Sequence, residues 1–360
     1  MENNSLFITL YDEETLKLYL DKGIYSQLMS PGKEIPPYQS AHYPTLADYG
    51  CARKGTHVFF FLDRKIYYGG QITGRENYGS FYLNGKNSPL GREANSELVW
   101  DESERERYDS TEEEGIFLVN TPDGKKKRCQ PFLIQFKDKL DLAGNYIISD
   151  QLYFKLGEFS YPLPANTIAG QGFCTLTPGE TKIILNLLRE ENNGEIKART
   201  KENISLDKKP IQFEPSYGIN SAEEARYESH LEASVVTNPD LLPQEIKPEG
   251  AEICRQVPIS PPKPTDLDKA DLCYFKKDNI EEGRIPNTVI ELKNKKAGKS
   301  AAEQVKRYAK WLNKRLGDRA KEINFYIFAK GFTSTFDDYI PSKFEEQVKK
   351  LKHANSPNFQ

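Results

Sequence analysis

The sequence predicts an α/β protein of the α+β type, with a C-terminal αβββαβ core and a separate, β-rich N-terminal domain. Two observations favour this architecture. The second half of the chain alternates helix-like and strand-like segments in that order, whereas the first half contains mainly short aromatic strand-like segments. In addition, 360 residues with a hydrophobic content of 37% are enough for two cores of ordinary size. We assign residues 1–198 to the first domain, 199–220 to a linker and 221–355 to the second domain.

Composition narrows the classes of function. The 50 basic and 53 acidic residues give a formal charge of -3, so a nucleic-acid partner requires a local basic patch. The 5 cysteines form no C-x-x-C pair, which argues against a zinc knuckle or a disulfide framework and favours a reducing, cytoplasmic location. No apolar run approaches the ~20 residues of a membrane-spanning helix, so we expect no membrane partner.

The N-terminal elements begin with a strand at 6–10 and a helix at 12–25, followed by a loop rich in Pro, Gly and Tyr that extends through residue 49. The next two runs, 57–62 and 66–72, are apolar and aromatic and flank a short polar turn, which predicts a β-hairpin.

The rest of the first half is predicted from shorter signals. Strands are expected at 80–83, 115–120, 129–136, 146–149 and 152–154, with the acidic stretch 101–114 as an exposed loop. The pair at 115–120 and 129–136 would enclose a turn at 122–124. A helix is expected at 177–189, because Thr177 can cap it and Pro178 suits its first position.

The C-terminal elements follow the order that defines the predicted core. The first helix is expected to begin at Ser221 with a capping box and to stop at Asn238-Pro239. The later elements are strands at 252–258, 271–275 and 289–293, a helix from Ser300, a strand at 323–329 and a final helix at 342–352.

Polar side chains from four of these elements are expected to converge. Successive side chains of a strand point to opposite faces, so Glu291 and Lys293 share one face. Gln304 and Tyr308 are four residues apart on the following helix and therefore also share a face. Asp271 begins the neighbouring apolar strand.

Glu228 adds a further carboxylate from the first helix of the C-terminal core. Its spacing from Leu231 and Val235 places it on their buried face, which is an unusual position for a glutamate. A boundary residue whose carboxylate reaches solvent is the alternative.

These groups fit the hydrolysis of a phosphodiester, which requires a divalent cation to neutralise charge on phosphorus and to activate water. Mg²⁺ is expected, with Mn²⁺ as an alternative, held by Asp271, Glu291 and the backbone carbonyl of Leu292. Lys293 would orient the nucleophile or stabilise the developing oxyanion. Glu228 would accept a hydrogen bond from bound water or help to bind a second ion.

The helix residues have an auxiliary role in this hypothesis. Gln304 and Tyr308 would orient Lys293 or contact the substrate backbone. A simple core tyrosine is an equal alternative for Tyr308.

The set of motifs resembles the PD-(D/E)xK nuclease superfamily and, within it, the NucS-like endonucleases. The matching segments are Glu228-Ser-His-Leu231 with Asn238-Pro239, Asp271-Leu272, Glu291-Leu292-Lys293 and Gln304-Val-Lys-Arg-Tyr308. The resemblance covers about 221–329 and implies a restriction-endonuclease-like fold. The lead-in Lys269-Ala270 departs from the pattern and leaves Asp266 and Asp268 as alternatives to Asp271, which we favour because it alone begins an apolar strand.

The first domain resembles the PUA-like class of small barrels, which includes the EVE and YTH readers of modified bases. The similarity lies in Gly55-Thr-His57-Val-Phe-Phe-Phe and Lys65-Ile-Tyr-Tyr-Gly-Gly-Gln-Ile72. Such barrels stack a flipped base among aromatic side chains, a role suited here to Tyr67, Tyr68, Tyr82 or Trp100.

Basic side chains near the predicted site are candidates for contact with DNA phosphates. They are Lys295, Lys296, Lys299 and Arg307, and a solvated loop is the alternative interpretation. The basic run at 124–128 is interpreted as a hairpin tip, with substrate contact as the alternative.

The sequence therefore predicts a metal-dependent DNA endonuclease, used in restriction or defence against modified or foreign DNA. A mismatch- or structure-directed repair endonuclease is the alternative that the NucS resemblance implies. A catalytically inactive DNA-binding protein is the alternative from another class. Because nuclease domains of this kind often cut two strands by pairing, a homodimer is also considered.

Overall fold

The computed structural model confirms an α+β protein with separate N-terminal and C-terminal sheets. It describes residues 3–29, 42–83, 109–110, 116–121, 124–129, 132–156, 173–191, 222–247, 249–259, 268–276, 278 and 283–353. No helix in these ranges is both long enough and apolar enough to cross a membrane. The predicted linker lies outside the described residues, so the domain boundaries stay a prediction.

The described elements of the first half are mainly strands, with short helices near both ends of this half. They are β1 (Ser5–Thr9), α1 (Glu13–Lys22), β2 (Ile24–Tyr25), α2 (His42–Gly50), β3 (His57–Leu62), β4 (Lys65–Ile72), β5 (Tyr82–Leu83), β6 (Asp109–Ser110), β7 (Ile116–Thr121), β8 (Gly124–Cys129), β9 (Phe132–Lys137), β10 (Tyr146–Ile148), α3 (Ser149–Leu156), β11 (Phe173–Leu176) and α4 (Pro178–Glu191).

The second half contains the remaining elements. They are α5 (Glu228–Thr237), β12 (Glu252–Pro258), β13 (Lys269–Phe275), β14 (Thr288–Ala297), α6 (Lys299–Leu316), β15 (Asn324–Phe332) and β16 (Val348–Lys352).

The N-terminal sheet follows the order β11-β1-β3-β4-β9-β2, with β10 beside β4 and β5 beside β9. Strands β3 and β4 form the predicted hairpin, and Asp63 and Arg64 at its turn have φ angles of 49° and 61°. Two left-handed residues give the tight turn whose twist matches that of paired strands. The sheet confirms a β-rich N-terminal half; its assignment to the PUA-like class stays a prediction.

Three N-terminal predictions are wrong. The expected loop through residue 49 contains helix α2, whose Tyr43, Leu46 and Ala47 are buried, so tertiary packing selects a helix there. The expected strand at 152–154 lies inside helix α3. Strand β7 pairs with β8 across the 122–124 turn, whereas β9 belongs to the larger sheet.

The C-terminal sheet confirms the αβββαβ order and has the strand order β12-β13-β14-β15-β16. Strand β13 is antiparallel to both of its neighbours, β12 and β14. Strand β15 is parallel to both of its neighbours, β14 and β16. Helix α6 packs one apolar side on this sheet through Val305, Ala309 and Leu312. Helix α5 begins at Glu228 and not at residue 221, which lies outside the described residues.

The end of the chain differs from the predicted helix at 342–352. Residues Ser342–Phe344 form a single 3-10 turn, and β16 extends the sheet beside β15. Leu351 is buried between the exposed Lys350 and Lys352, which lie on the opposite face of the strand. Lysine side chains on such an edge discourage pairing with another chain.

The N-terminal and C-terminal sheets pack against each other through strand β12 and helix α5. Asn4 Nδ2 donates to the Ile253 carbonyl at 2.9 Å, and the Ile253 N–H donates to the Tyr78 hydroxyl at 2.9 Å. Helix α2 lies along α5, where the rings of Tyr43 and His230 stack 4.4 Å apart. The predicted recognition part is therefore in direct contact with the predicted catalytic core.

Candidate active site

Strands β13 and β14 bring the two predicted carboxylates together. Their described pairing begins at Leu272 and Ile290, so Asp271 and Glu291 are the next residues on the two strands. Asp271 Oδ2 accepts a hydrogen bond of 2.7 Å from the Leu292 N–H. Because the N–H and C=O of one strand residue point to the same side, the Leu292 carbonyl also lies on the Asp271 side of β14.

The alternative aspartates do not replace Asp271 in this arrangement. Asp268 forms a two-pronged ion pair with Arg307, with both N···O distances at 3.1 Å. Asp266 lies outside the described residues. Asp271 is therefore the aspartate that the described structure places beside Glu291, although β13 begins at Lys269 and not at Asp271 as predicted.

Lys293 links two of the predicted carboxylates. Its Nζ donates to Glu291 Oε1 at 2.8 Å and to Glu228 Oε2 at 3.2 Å. Glu291 is buried, whereas the Glu228 side chain is about half exposed at the first residue of α5. The carboxylate of Glu228 thus faces solvent beside the site, although Leu231 and Val235 of the same helix are buried.

Gln304 and Tyr308 meet each other on α6, as their spacing predicts. Gln304 Nε2 donates to the Tyr308 hydroxyl at 2.6 Å, and that hydroxyl donates to the Lys269 carbonyl at 2.6 Å. Glu291 Oε2 lies 3.3 Å from the same hydroxyl. Tyr308 is therefore both a core residue with a buried ring and a direct neighbour of the site, whereas Gln304 reaches the site through Tyr308.

The raised pKa values of Asp271 and Glu291 indicate a site for a cation between these two carboxylates. Burial raises the pKa of Asp271 well above its ordinary value, and Glu291 raises it further. Burial likewise raises the pKa of Glu291, while Lys293 opposes this shift. Burial lowers the pKa of Lys293, but Glu291 and Asp271 outweigh burial and leave its pKa raised, so the ammonium stays charged at neutral pH.

A hard divalent cation fits this donor set. Two carboxylates that repel one another are stabilised when a cation joins them, and Mg²⁺ commonly takes one or two protein carboxylates and keeps several waters. Asp271 and Glu291 supply such oxygens, and the Leu292 carbonyl lies on the same side. Among the described residues, no group of three or more His, Cys, Asp or Glu side chains forms a metal cage.

Four further residues extend the site, and the sequence analysis missed them. Arg255 on β12 is buried and forms a paired contact with Glu232 of α5 at 3.1 and 2.9 Å. Its Nη1 also donates to Asp48 of α2 at 2.5 Å. Gln256 Nε2 donates to Glu232 and to Asp271, at 3.0 and 3.2 Å. An arginine inside the apolar run of β12 is the one sequence signal for this network.

A cavity of about 490 Å³ lies between the two sheets and reaches Asp271 and Glu228 of the candidate site. Its wall includes Phe173 and Glu180 from the N-terminal half and Glu228, Lys269 and Asp271 from the C-terminal half. The candidate site is therefore open toward the contact between the two sheets.

The basic residues predicted to contact DNA differ in their exposure and in their ion pairs. Lys295, Lys296 and Lys299 are exposed at the end of β14 and the start of α6. Arg307 is half exposed but is engaged with Asp268.

The aromatic residues of the first half that were predicted to stack on a base differ in their burial. Tyr68 is fully buried with its hydroxyl 3.1 Å from His57 Nδ1, so it belongs to the core and cannot stack on a base. Tyr67 is partly exposed and its ring packs 5.2 Å from that of Tyr146, while Tyr82 is partly buried. Trp100 lies outside the described residues.

Comparisons with known proteins give partial structural likenesses. No protein-family model matches the sequence, and no curated protein does. The crystal structure of a repair endonuclease from Pyrococcus abyssi is similar at 22% identity, over 36% of this chain and 48% of that chain, with a TM-score of 0.23. The structure of an EndoMS-dsDNA2 complex is similar at 13% identity, over 66% of this chain and 60% of that chain, with a TM-score of 0.24. The chain thus matches less than two thirds of the length of either protein, and the function proposed next rests on the site geometry.

Proposed function

We propose that this chain is a metal-dependent DNA endonuclease that hydrolyses phosphodiester bonds, with Mg²⁺ as its cation and Mn²⁺ as an alternative. The observation that carries the proposal is the meeting of Asp271, Glu291 and Lys293 on the neighbouring strands β13 and β14. Two carboxylates with raised pKa values beside a charged lysine are the groups that this chemistry needs.

Each side chain has a distinct role in this proposal. Asp271, Glu291 and the carbonyl of Leu292 would hold the cation, which when bound neutralises phosphate charge and lowers the pKa of an attacking water. Lys293 keeps its proton because Glu291 and Glu228 surround it, so it acts as a fixed positive charge beside the developing oxyanion and not as a general base. Glu228 remains exposed to accept a hydrogen bond from water.

The substrate is placed by residues beside the carboxylates. Lys295, Lys296 and Lys299 would contact DNA phosphates, because they present exposed ammonium groups from the same strand and the helix that follows. The Tyr308 proton is shared between the Lys269 carbonyl at 2.6 Å and Glu291 Oε2 at 3.3 Å, so Glu291 receives the longer branch, which favours the orientation of its other oxygen toward Lys293.

A plasmid-nicking assay tests the proposal. Supercoiled DNA is incubated with the wild type, Asp271→Ala, Lys293→Ala and Lys352→Ala, each with Mg²⁺ and with a chelator. Loss of the charge at Lys293 is expected to lower the rate by about 10²-fold or more, as removal of an oxyanion donor does. Lys352 is exposed on the edge strand β16 and serves as the matched control.

The outcomes separate an enzyme from an inactive binding protein. We expect nicking by the wild type and Lys352→Ala only, and only with the divalent cation. Equal activity in all four proteins would contradict the assignment of Asp271 and Lys293 to the active site. DNA binding in a mobility-shift assay without nicking under any condition would favour the inactive DNA-binding protein.

For the target, we propose restriction or defence against modified or foreign DNA, with mismatch- or structure-directed repair as the alternative. The cavity that joins the carboxylates to the N-terminal sheet supports a substrate read by both halves. Parallel digestion of unmodified, methylated and mismatched duplexes distinguishes the two roles, since cleavage that depends on base modification contradicts repair. Sedimentation with and without DNA tests whether the chain works as a homodimer.

A further inference from the structure

Gln256 lies at an irregularity of the sheet next to the candidate active site. The pairing of β12 with β13 joins Arg255 to Leu272 and Val257 to Ala270 in an unbroken register, so Gln256 lies opposite Asp271. Its φ angle is 50°, a left-handed conformation that is uncommon outside glycine. A left-handed residue inside a strand distorts the backbone locally, and such strained residues cluster at active sites.

The Gln256 side chain connects two carboxylates. Nε2 lies 3.0 Å from Glu232 Oε1 and 3.2 Å from Asp271 Oδ1. Both partners are carboxylate oxygens, so the donating amide nitrogen must face them, and its two N–H groups suffice for both bonds. The orientation of the amide follows from its surroundings.

These bonds fix the direction of the Asp271 carboxylate. Gln256 holds Oδ1, while the Leu292 N–H holds Oδ2 at 2.7 Å. A carboxylate offers about four lone-pair positions, so two remain for a cation. Asp271 is thereby held at both oxygens without being saturated.

Glu232 is itself immobilised by a buried ion cluster. Arg255 contacts both of its oxygens and also pairs with Asp48, and all three side chains are less than 10% exposed. Asp48 belongs to α2, which lies in the N-terminal half. The second partner of Gln256 is thus anchored by residues from both halves of the chain.

We propose that Gln256 is a positioning residue that holds Asp271 in the orientation required to bind the divalent cation, with Glu232 as its anchor. This inference rests on the proposed function, because it assigns Asp271 to the cation. Gln256 does not contact the reacting atoms; its effect is transmitted through the Asp271 carboxylate. Loss of its side chain is expected to weaken cation binding and turnover without weakening DNA binding.

Calorimetric titration of the full chain with Mn²⁺ in the absence of DNA tests this role. Gln256→Gly removes the amide and suits the left-handed backbone, and Gln256→Asn keeps an amide that is one methylene too short. We expect both variants to bind Mn²⁺ about 10-fold more weakly or worse, the usual effect of removing a group that orients a metal ligand.

The matched control is Asp141→Gly, an exposed residue with a φ of 54° away from the site. Its Mn²⁺ affinity should equal that of the wild type, which excludes relief of backbone strain as the cause. In nicking assays, Gln256→Gly should lower kcat and leave KM for DNA unchanged.

The result separates this inference from the proposed function. Wild-type affinity for Mn²⁺ in Gln256→Gly would overturn the positioning role and leave the nuclease proposal intact. Absence of Mn²⁺ binding by the wild type would overturn both.

Discussion

Tyr308 shows how a single side chain joins the core to the candidate site. Its ring is fully buried between the sheet and α6, and its hydroxyl has three polar neighbours. The i, i+4 spacing to Gln304 placed these two residues together from sequence alone, but the partner on Lys269 is a backbone carbonyl, which leaves no trace in the sequence.

Replacing Tyr308 with Phe should separate the contribution of the buried ring from that of the hydroxyl. The ring is kept, whereas Gln304 and the Lys269 carbonyl lose a buried partner, so we expect a loss of about 1–3 kcal/mol in the free energy of unfolding. The nicking rate should fall as well, because Glu291 loses a neighbour on Oε2. Urea denaturation measures the first effect. Tyr11→Phe, at an 86% exposed side chain, provides the control, and an equal loss there would contradict the prediction.

The network of Asp48, Glu232, Arg255 and Gln256 shows why the site was only partly predictable. The sequence analysis identified the carboxylates and the lysine because strand alternation and helical spacing act over a few residues. Arg255 and Asp48 are separated by 207 positions and meet only after the two halves pack. Periodicity within one element contains no information about such a partner.

At the scale of elements, the N-terminus of α4 has the cap that its sequence predicts. Glu180 Oε2 accepts from the Thr177 N–H at 2.8 Å, and Thr177 Oγ1 accepts from the Glu180 N–H at 3.3 Å. This reciprocal arrangement is a capping box. Thr177 was predicted as the cap, whereas the burial of Glu180 against the interdomain cavity was not evident from the sequence.

Glu180, the partner of Thr177 in the capping box, should make the free energy of unfolding depend on pH. Burial raises the pKa of Glu180 from 4.5 to about 7 in the folded chain. The folded state therefore binds the extra proton between these values, and its stabilising effect is fully present below pH 4.5 and lost as pH rises through 7. The change amounts to about 3 kcal/mol at most, at 1.36 kcal/mol for each pKa unit.

Thermal denaturation of the wild type and Glu180→Gln at pH 5 and pH 8 measures this effect. Glutamine keeps the acceptor for the cap but cannot ionise, so the variant should gain stability relative to the wild type at the higher pH. A constant difference between the two proteins across this range would show that Glu180 does not titrate as expected.

The errors in secondary structure have a common physical origin. The segment 342–352 has the polar and charged composition of a surface helix, yet β15 offers an open edge with which β16 pairs. Helix α2 follows a stretch rich in Pro and Gly and owes its formation to packing on α5. In both places a partner from another part of the chain outweighs local propensity.

At the scale of the whole molecule, the buried ion cluster lies where the two halves meet. Arg255 belongs to the C-terminal sheet and Asp48 to the N-terminal half, and both are less than 10% exposed. Removing one member of a buried ion pair leaves an uncompensated charge, which costs far more than the loss of an exposed pair.

Arg255→Met should therefore destabilise the folded chain by about 3–5 kcal/mol. Arg64→Met is the matched control, because Arg64 pairs with Asp150 and both side chains are more than half exposed, so a loss of about 0–1 kcal/mol is expected there. Urea denaturation of both variants measures the difference. Similar losses would indicate that the Arg255 cluster contributes no more than a surface contact.

The packing of α2 along α5 also determines where this chain can be divided to build chimeric proteins. A chimera that replaces the first half with an unrelated domain would remove α2. His230 would lose its stacking partner Tyr43, and Arg255 would lose its ion pair with Asp48. The transplanted C-terminal sheet would then expose an apolar helix face, and Arg255 would keep Glu232 but lose its second carboxylate partner. Residues 42–50 belong with the C-terminal part in any such exchange, although they precede α5 by more than 170 positions in the sequence.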